Sequence, residues 1–282
     1  MVKEAITTAV TRCGNTELRW GERTYVMGIC NLSPDSFSGD GLGYDVEAVL
    51  SLARRFVAEG ADIIDIGGES TRPGMEPHSI HDVDEELRLV LPAIERLSKE
   101  LTVPVSIDTY KSAVAKCAVE AGAAMINDVW GFQRDPELAK VVAKAGVPVI
   151  LMSNQRDTPC SDIMSEVISS LKNSISVAMA AGIAPDNIII DPGVGFGKTV
   201  EQNLEVIQRL AELKALGRPI LLGTSRKSVI GHVLDLPINQ RLEGTAATVA
   251  IGIANGADII RVHDVKPMVR VCRMSDAIVR RK

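Results

Sequence analysis

Eight short runs rich in Val, Ile and Leu recur along the 282-residue chain, at positions 24–30, 62–67, 103–108, 124–129, 147–152, 187–192, 219–223 and 258–262. Several, such as "NIIIDP" and "DIIRV", are apolar throughout and do not alternate. A continuous apolar run of this length marks a parallel strand covered on both faces. Parallel neighbours need long crossovers, usually helical, and the intervening segments carry a helical period. Val46, Val49, Leu50, Ala53, Phe56, Val57 and Gly60 fall on one stripe, as do Val83, Leu87, Val90, Leu91, Ile94 and Leu97. Eight strand–helix units predict one (β/α)8 TIM barrel spanning 1–282 as a single domain. A doubly wound sheet would normally have fewer strands and a visible dinucleotide loop.

Local signals agree with this reading. Asp135-Pro136 reads as a helix N-cap followed by the first helical residue, Thr199-x-x-Gln202 as a capping box, and Gly217 ahead of Pro219 as a helix end. Pro92 inside the second helical pattern predicts a kink. Ahead of the barrel, "TELRW-GE-RTYVMG" reads as a hairpin turning at Gly21-Glu22, placed to close the N-terminal face.

Composition narrows the function. A net charge of −5 and 3% aromatic residues argue against non-specific nucleic-acid binding and base-stacking surfaces. Cys13, Cys30, Cys117, Cys160 and Cys272 show no C-x-x-C spacing, and an odd count suits a reducing compartment. The first 28 residues lack a signal-peptide pattern, and no run reaches the length of a membrane span. The expectation is a cytoplasmic protein without a membrane or nucleic-acid partner.

In a barrel of this type the C-terminal strand ends converge on one mouth. Seven of the eight runs end in or near an amide or ionisable residue: Asn31, Glu69, Asp108, Asn127 with Asp128, Asp191, Lys227, and Arg261 with His263. Single carboxylates after strands often only cap loops, and Asp128 and Glu69 fit that description. "DPGVGFGKT" (191–199) ends like a phosphate-binding loop, but Pro192 stands where the first glycine of that motif belongs. Arg72, Lys198, Arg226, Lys227, Arg261 and Lys266 make a local positive field on an acidic chain, which suits a phosphate or pyrophosphate. Asp108 and Asp191 instead complement a ligand edge rich in N–H donors, such as a guanidine-like or pterin ring. Two long loops, "NLSPDSFSGDGLGYD" and "GGESTRPGMEPHS", have the composition of lids.

Taken in order, "MGICNLSPDSFSGDG", "DIIDIGGESTRPG", "SIDTYK", "INDV", "DPGVGFGKT", "LLGTSRKSVIG" and "IIRVHDV" resemble the dihydropteroate synthase family from about residue 16 to the C-terminus. The resemblance implies condensation of 6-hydroxymethyl-7,8-dihydropterin pyrophosphate with p-aminobenzoate, releasing pyrophosphate. It implies a pterin site of Asp108, Asn127, Met152, Asp191, Phe196, Gly223 and Lys227, with Asp191 taking the N3 and 2-amino edge. Asn31, Arg72, Arg261 and His263 would bind pyrophosphate, Asn31 through Mg²⁺. Phe37, Thr71, Pro73 and Ser228 would shape the p-aminobenzoate site. Asp35, Lys227 and Arg261 would carry the catalytic roles, and a homodimer through barrel-wall helices is implied. Two stretches depart from the family pattern. Ser153 stands where a His follows the fifth-strand Met, and the first long loop reads Ser-Gly-Asp-Gly where Ser-Asp-Gly-Gly is commoner.

Other chemistries remain open on residues alone. A methyltransferase passing a methyl group from a folate to a corrinoid protein would share the Asp and Asn anchors. A Schiff-base aldolase would use Lys227 in an apolar setting. A pterin-binding barrel without catalysis would keep the anchors and lose turnover.

Overall fold

In the computed structural model, which describes residues 10–32, 42–69, 83–156 and 162–280, the eight apolar runs are eight parallel strands. They follow a short hairpin, β1 (Val10–Cys13) and β2 (Thr16–Arg19). The barrel strands are β3 (Tyr25–Asn31), β4 (Ile63–Gly67), β5 (Val105–Asp108), β6 (Met125–Asp128), β7 (Val149–Met152), β8 (Ile188–Asp191), β9 (Leu221–Leu222) and β10 (Ile259–Val262). Sequential strands pair from β3 to β8, β10 lies between β3 and β9, and a parallel bridge between Ile190 and Ile220 closes the ring.

Helices follow the strands as the spacing predicts. α1 (Val46–Glu59) starts where the Asp45 side chain accepts from the Ala48 amide, and ends at Gly60 in the left-handed region, φ 103°. It buries Val49, Leu50, Ala53 and Phe56 against the strands. α2 (Val83–Glu100) runs without interruption through Pro92, which lies on its exposed side. Its buried stripe is Leu89, Val90, Ala93, Ile94 and Leu97, so Leu87 and Leu91 sit at its margin. The remaining helices are α3 (Ser112–Glu120), α4 (Glu137–Ala145), α5 (Ile163–Ala180), α6 (Val200–Gln208), α7 (Ser228–Leu234), α8 (Leu242–Ala254) and α9 (Val265–Val279).

The capping box at Thr199 and Gln202 is present, and Gly217 ends a 3₁₀ segment in the left-handed region. Asp135 departs by one position. Its carboxylate accepts from the Glu137 and Ser112 amides, while Pro136 is the capping residue of α4.

The hairpin needs one correction. It turns at Gly14-Asn15, with Cys13 paired to Thr16, and Gly21-Glu22 instead lies in the connection from β2 to β3. Gly14 has φ 57°, the first-position conformation of a tight hairpin turn. The physical reason lies in where the apolar side chains must go. Cys13, Leu18 and Trp20 pack with Tyr25, Met27, Ile63, Met125, Ile150, Ile189, Leu221 and Ile259, the inward residues low in the barrel. Residues from 25 onward are committed to the barrel ring, so β2 pairs back to β1 and together they plug the N-terminal face. Trp20 donates its indole N–H to Thr11 Oγ1 at 2.9 Å, and the Thr11 hydroxyl hydrogen-bonds the Asp186 carbonyl across the floor.

Candidate active site

Side chains alternate across each strand, so the barrel interior has layers. On β4, Ile63 joins the floor cluster and Ile64 and Ile66 join the outer core, which leaves Asp65 and Gly67 facing the axis. The same parity turns Asn31, Asp108, Asn127, Met152, Asp191 and Arg261 inward at the upper ends of their strands, with Gly223 just past β9. The strand register sets Asp108 beside both Gly67 and Asn127, and Met152 beside Asp191. The structure thus gathers the pterin-site residues expected from the sequence around one mouth.

At its centre lies an ion triad. Arg261 donates Nε to Asp65 Oδ2 at 2.7 Å and Nη2 to Asp108 Oδ2 at 2.7 Å. Asn127 Nδ2 also points to Asp65 Oδ2, at 3.3 Å. Burial pushes the Asp108 carboxyl up to about 7, against the pull of Arg261. Burial opposes the charge on Arg261, but Asp65 and Asp108 outweigh it and hold the guanidinium protonated. A methyl group on Gly67 would stand 3.6 Å from Asn31 Oδ1 and 3.9 Å from Asp108 Oδ2, so two hard oxygens flank the space above that glycine.

Across the mouth, Asp191 is buried and accepts from the Gly193 amide at 2.7 Å through Oδ1. Burial raises its pKa and Lys227 opposes the rise. Lys227 is itself pushed down to about 8 by burial, despite the nearby Asp191. Its ammonium donates to the Val194 carbonyl and sits 4.7 Å from the centre of the Phe196 ring. Phe196, Met152, Val129 and Trp130 form one apolar cluster with Tyr110 packed against it, a wall suited to a flat heterocycle.

The glycines of "DPGVGFGKT" build this wall. Gly193 and Gly197 have φ of 70° and 69°. A methyl group on Gly193 would stand 2.0 Å from the Ser153 carbonyl oxygen, and one on Gly197 would stand 2.2 Å from the Gln155 carbonyl carbon. The loops after β7 and β8 therefore touch backbone to backbone, which only glycine permits. Lys198 locks them by donating to the carbonyls of Gly193 and Ser153, at 2.9 and 3.2 Å. Ser153, at the family's His position, is fully buried and hydrogen-bonds Gln155 Nε2 at 2.7 Å.

Several cations expected to face an anion are already paired. Arg226 makes a two-pronged ion pair with Asp264, at 2.9 and 2.6 Å, which holds its backbone at φ 57° just ahead of Lys227. That strained residue fixes the turn that aims the lysine inward. Lys266 is exposed on α9. His263 is tied to Ser225 Oγ through both its amide and Nδ1, at 3.2 and 3.0 Å, and Ser228 is exposed at the start of α7. Asp128 and Glu69 are structural, as their positions suggested. Asp128 faces away from the axis and accepts the Trp130 and Phe132 amides, at 2.8 and 2.6 Å. Glu69 pairs with Lys111 at 3.0 Å, and Lys111 also meets Glu86 at 2.6 Å.

Asp35, Phe37, Thr71, Arg72 and Pro73 lie outside the described residues. Sequence reasoning passed over Asp65, Lys111 and Trp130. The available signal for Asp65 was a carboxylate in the middle of one apolar run, "DIIDIG", matched by an arginine in the middle of another, "IIRV". Two opposite charges embedded in buried strands must meet each other. Among the described residues no group of three His, Cys, Asp or Glu side chains could hold a metal ion, and no helix is long and apolar enough to cross a membrane.

A family profile described as "Pterin binding enzyme" matches residues 27–263. The chain is 51% identical to the dihydropteroate synthase of Clostridium beijerinckii, covering 96% of this chain and 100% of that one. The fold is similar to that of the Clostridium difficile dihydropteroate synthase crystallised in the presence of pteroic acid. That similarity has a TM-score of 0.87 and 52% identity, and covers 93% of this chain and 99% of that one. It is also similar to the Xanthomonas albilineans enzyme with 4-aminobenzoic acid, with TM-score 0.89 and 41% identity over 96% and 98% of the two chains.

Proposed function

The chain belongs to the dihydropteroate synthases among the pterin-binding enzymes, and on that premise we propose that its polar barrel mouth is where a dihydropterin pyrophosphate and p-aminobenzoate condense. The observation that carries the site assignment is the inward convergence of Asp108, Asn127, Asp191, Lys227 and Arg261 beside the Met152–Phe196 wall. A flat, N–H-rich ring uses both features. Asp191 Oδ1 is committed in part to Gly193, so the carboxylate is held in one orientation to receive the ring's parallel N–H pair. Asn127 adds an amide and Lys227 a donor. Phe196 and Met152 cover a ring face.

The leaving pyrophosphate falls to Arg261 and His263, and the lid residues Asp35 and Arg72 join them on the family pattern. Phe37, Thr71, Pro73 and Ser228 enclose the arylamine. The donor set also suits Mg²⁺ delivered with a pyrophosphate, because that ion keeps several waters and takes few protein oxygens. Asn31 would hold it, and when bound it neutralises charge on the departing oxygens. Arg261 stabilises the same charge, while on the family pattern Phe37, Thr71, Pro73 and Ser228 exclude water and align the weak nucleophile. This supports carbon–oxygen bond breaking ahead of carbon–nitrogen bond formation, without a covalent enzyme intermediate. A trapped Lys227–pterin adduct seen by mass spectrometry would contradict it.

Two wider assignments accompany the site. α8 is apolar nearly all round, and Leu242 and Ile251 on it are exposed beside Val233 and Leu234 of α7. A surface helix apolar on both faces is normally covered, and the occupant we assign is a second copy of the chain. None of the four cysteines among the described residues is in a disulfide, in keeping with a cytoplasmic enzyme.

Calorimetric titration with pteroic acid tests the anchor. Wild-type protein binds, and Asp191→Asn weakens binding roughly 10- to 100-fold, the value of one charged hydrogen-bond acceptor in a buried site. Equal affinity in the two proteins would remove Asp191 from the site.

A further inference from the structure

Asp65 belongs to the ion triad but has no part in the chemistry proposed above, yet it touches two residues that do. It is fully buried one layer beneath the mouth, paired in register with Ser106, while Asp108 lies a layer higher. Its Oδ2 holds both Arg261 Nε and Asn127 Nδ2, and its Oδ1 has no hydrogen-bond partner among the described residues. Asp65 is too deep to meet a ligand seated on Asp191 and Asp108. Arg261 is thus gripped from two sides by different atoms, Nε from below and Nη2 from above.

These two grips have different fates when a substrate arrives. A pterin N–H directed at Asp108 competes with Nη2, whereas nothing entering from the mouth competes with Nε. We propose that Asp65 is a positioning residue: it pins Arg261 through Nε, so that Nη2 can pass from Asp108 to the pyrophosphate while the guanidinium stays at the mouth. A planar guanidinium suits this exchange, since one edge can remain fixed while the other changes partner. The second contact, to Asn127, sets the orientation of that amide from the same oxygen. Without the charge on Asp65, Arg261 would follow Asp108 or retract when the ligand binds. The inference rests on the synthase reading.

The test is Asp65→Asn, which keeps the shape of the side chain and removes its charge. The kcat/KM for the pterin pyrophosphate falls roughly 10- to 100-fold, as expected for losing one charged contact, while the KM for p-aminobenzoate is unchanged. In an Arg261→Gln background the same substitution adds little further loss, because Asp65 acts through Arg261. Wild-type kinetics for Asp65→Asn, or losses that simply add, would overturn the role. If the variant does not fold, ¹⁵N-arginine spectra of wild-type protein decide. With pterin and pyrophosphate bound, the Arg261 Nε–H stays protected and the Nη signals move, whereas loss of Nε–H protection overturns the proposal. Wild-type protein that makes no dihydropteroate overturns the synthase reading and this role together. An active wild type with an unaltered variant overturns only the role of Asp65.

Discussion

At the scale of single residues, the site works by holding charged groups against their solvation preference. Asp108 is pushed up to about 7 and Lys227 down to about 8, both chiefly by burial. On the proposed site, pterin binding uses the carboxylate of one and the ammonium of the other. The kcat/KM for the pterin pyrophosphate therefore falls as pH drops below about 7, where Asp108 takes a proton, and again as pH rises above about 8, where Lys227 loses one. A pH profile of kcat/KM checks this, since that parameter reports the free enzyme. In Lys227→Met the alkaline limb disappears from whatever activity remains. An unchanged alkaline limb in that variant would assign it to another group. Much of this site was legible in the chain, because polar residues closing apolar runs must gather at one barrel end. Asp65 was not, because its meaning depends on Arg261, a partner 196 positions away, and only strand register brings the two together.

At the scale of elements, the strands were legible because continuous apolar runs have few alternatives once helices separate them. The hairpin turn was not, because Gly14-Asn15 and Gly21-Glu22 both satisfy the local chemistry of a turn. What decides between them is the floor of the barrel, where Cys13, Leu18 and Trp20 must be buried together. Trp20→Ala should cost about 3–5 kcal/mol, the usual price of a large buried aromatic, read as a lower denaturation midpoint. The folded fraction should keep its KM values, since the floor lies at the opposite end from the mouth. The loop pair after β7 and β8 is the converse case. Gly197→Ala meets backbone at 2.2 Å and a left-handed φ, so it displaces the neighbouring Phe196. A severalfold rise in the KM for the pterin substrate is expected, larger than any change for p-aminobenzoate. Unaltered kinetics would show that the loop contact does not shape the site.

At the scale of the whole molecule, the barrel separates stability from chemistry. Its floor and the layer between strands and helices are apolar, and the ion triad, Asp191 and Lys227 are gathered at one mouth. The wall is not uniform, because the α7–α8 face leaves Val233 and Ile251 about half exposed, at 55% and 51%. Sedimentation should find a dimer, and the paired substitutions Val233→Glu and Ile251→Glu should yield a folded monomer; a wild-type monomer at micromolar concentration would refute the assignment. The molecule's central property is the synthase reaction, and product formation measures it most directly. Purified protein is given dihydropterin pyrophosphate, Mg²⁺ and p-aminobenzoate, with each substrate omitted in turn, and dihydropteroate and pyrophosphate are followed together. The two products should appear in equal amounts, with dihydropteroate formed only when both substrates are present. Pterin binding without dihydropteroate would contradict the account and leave a barrel that binds the ring without joining it to anything.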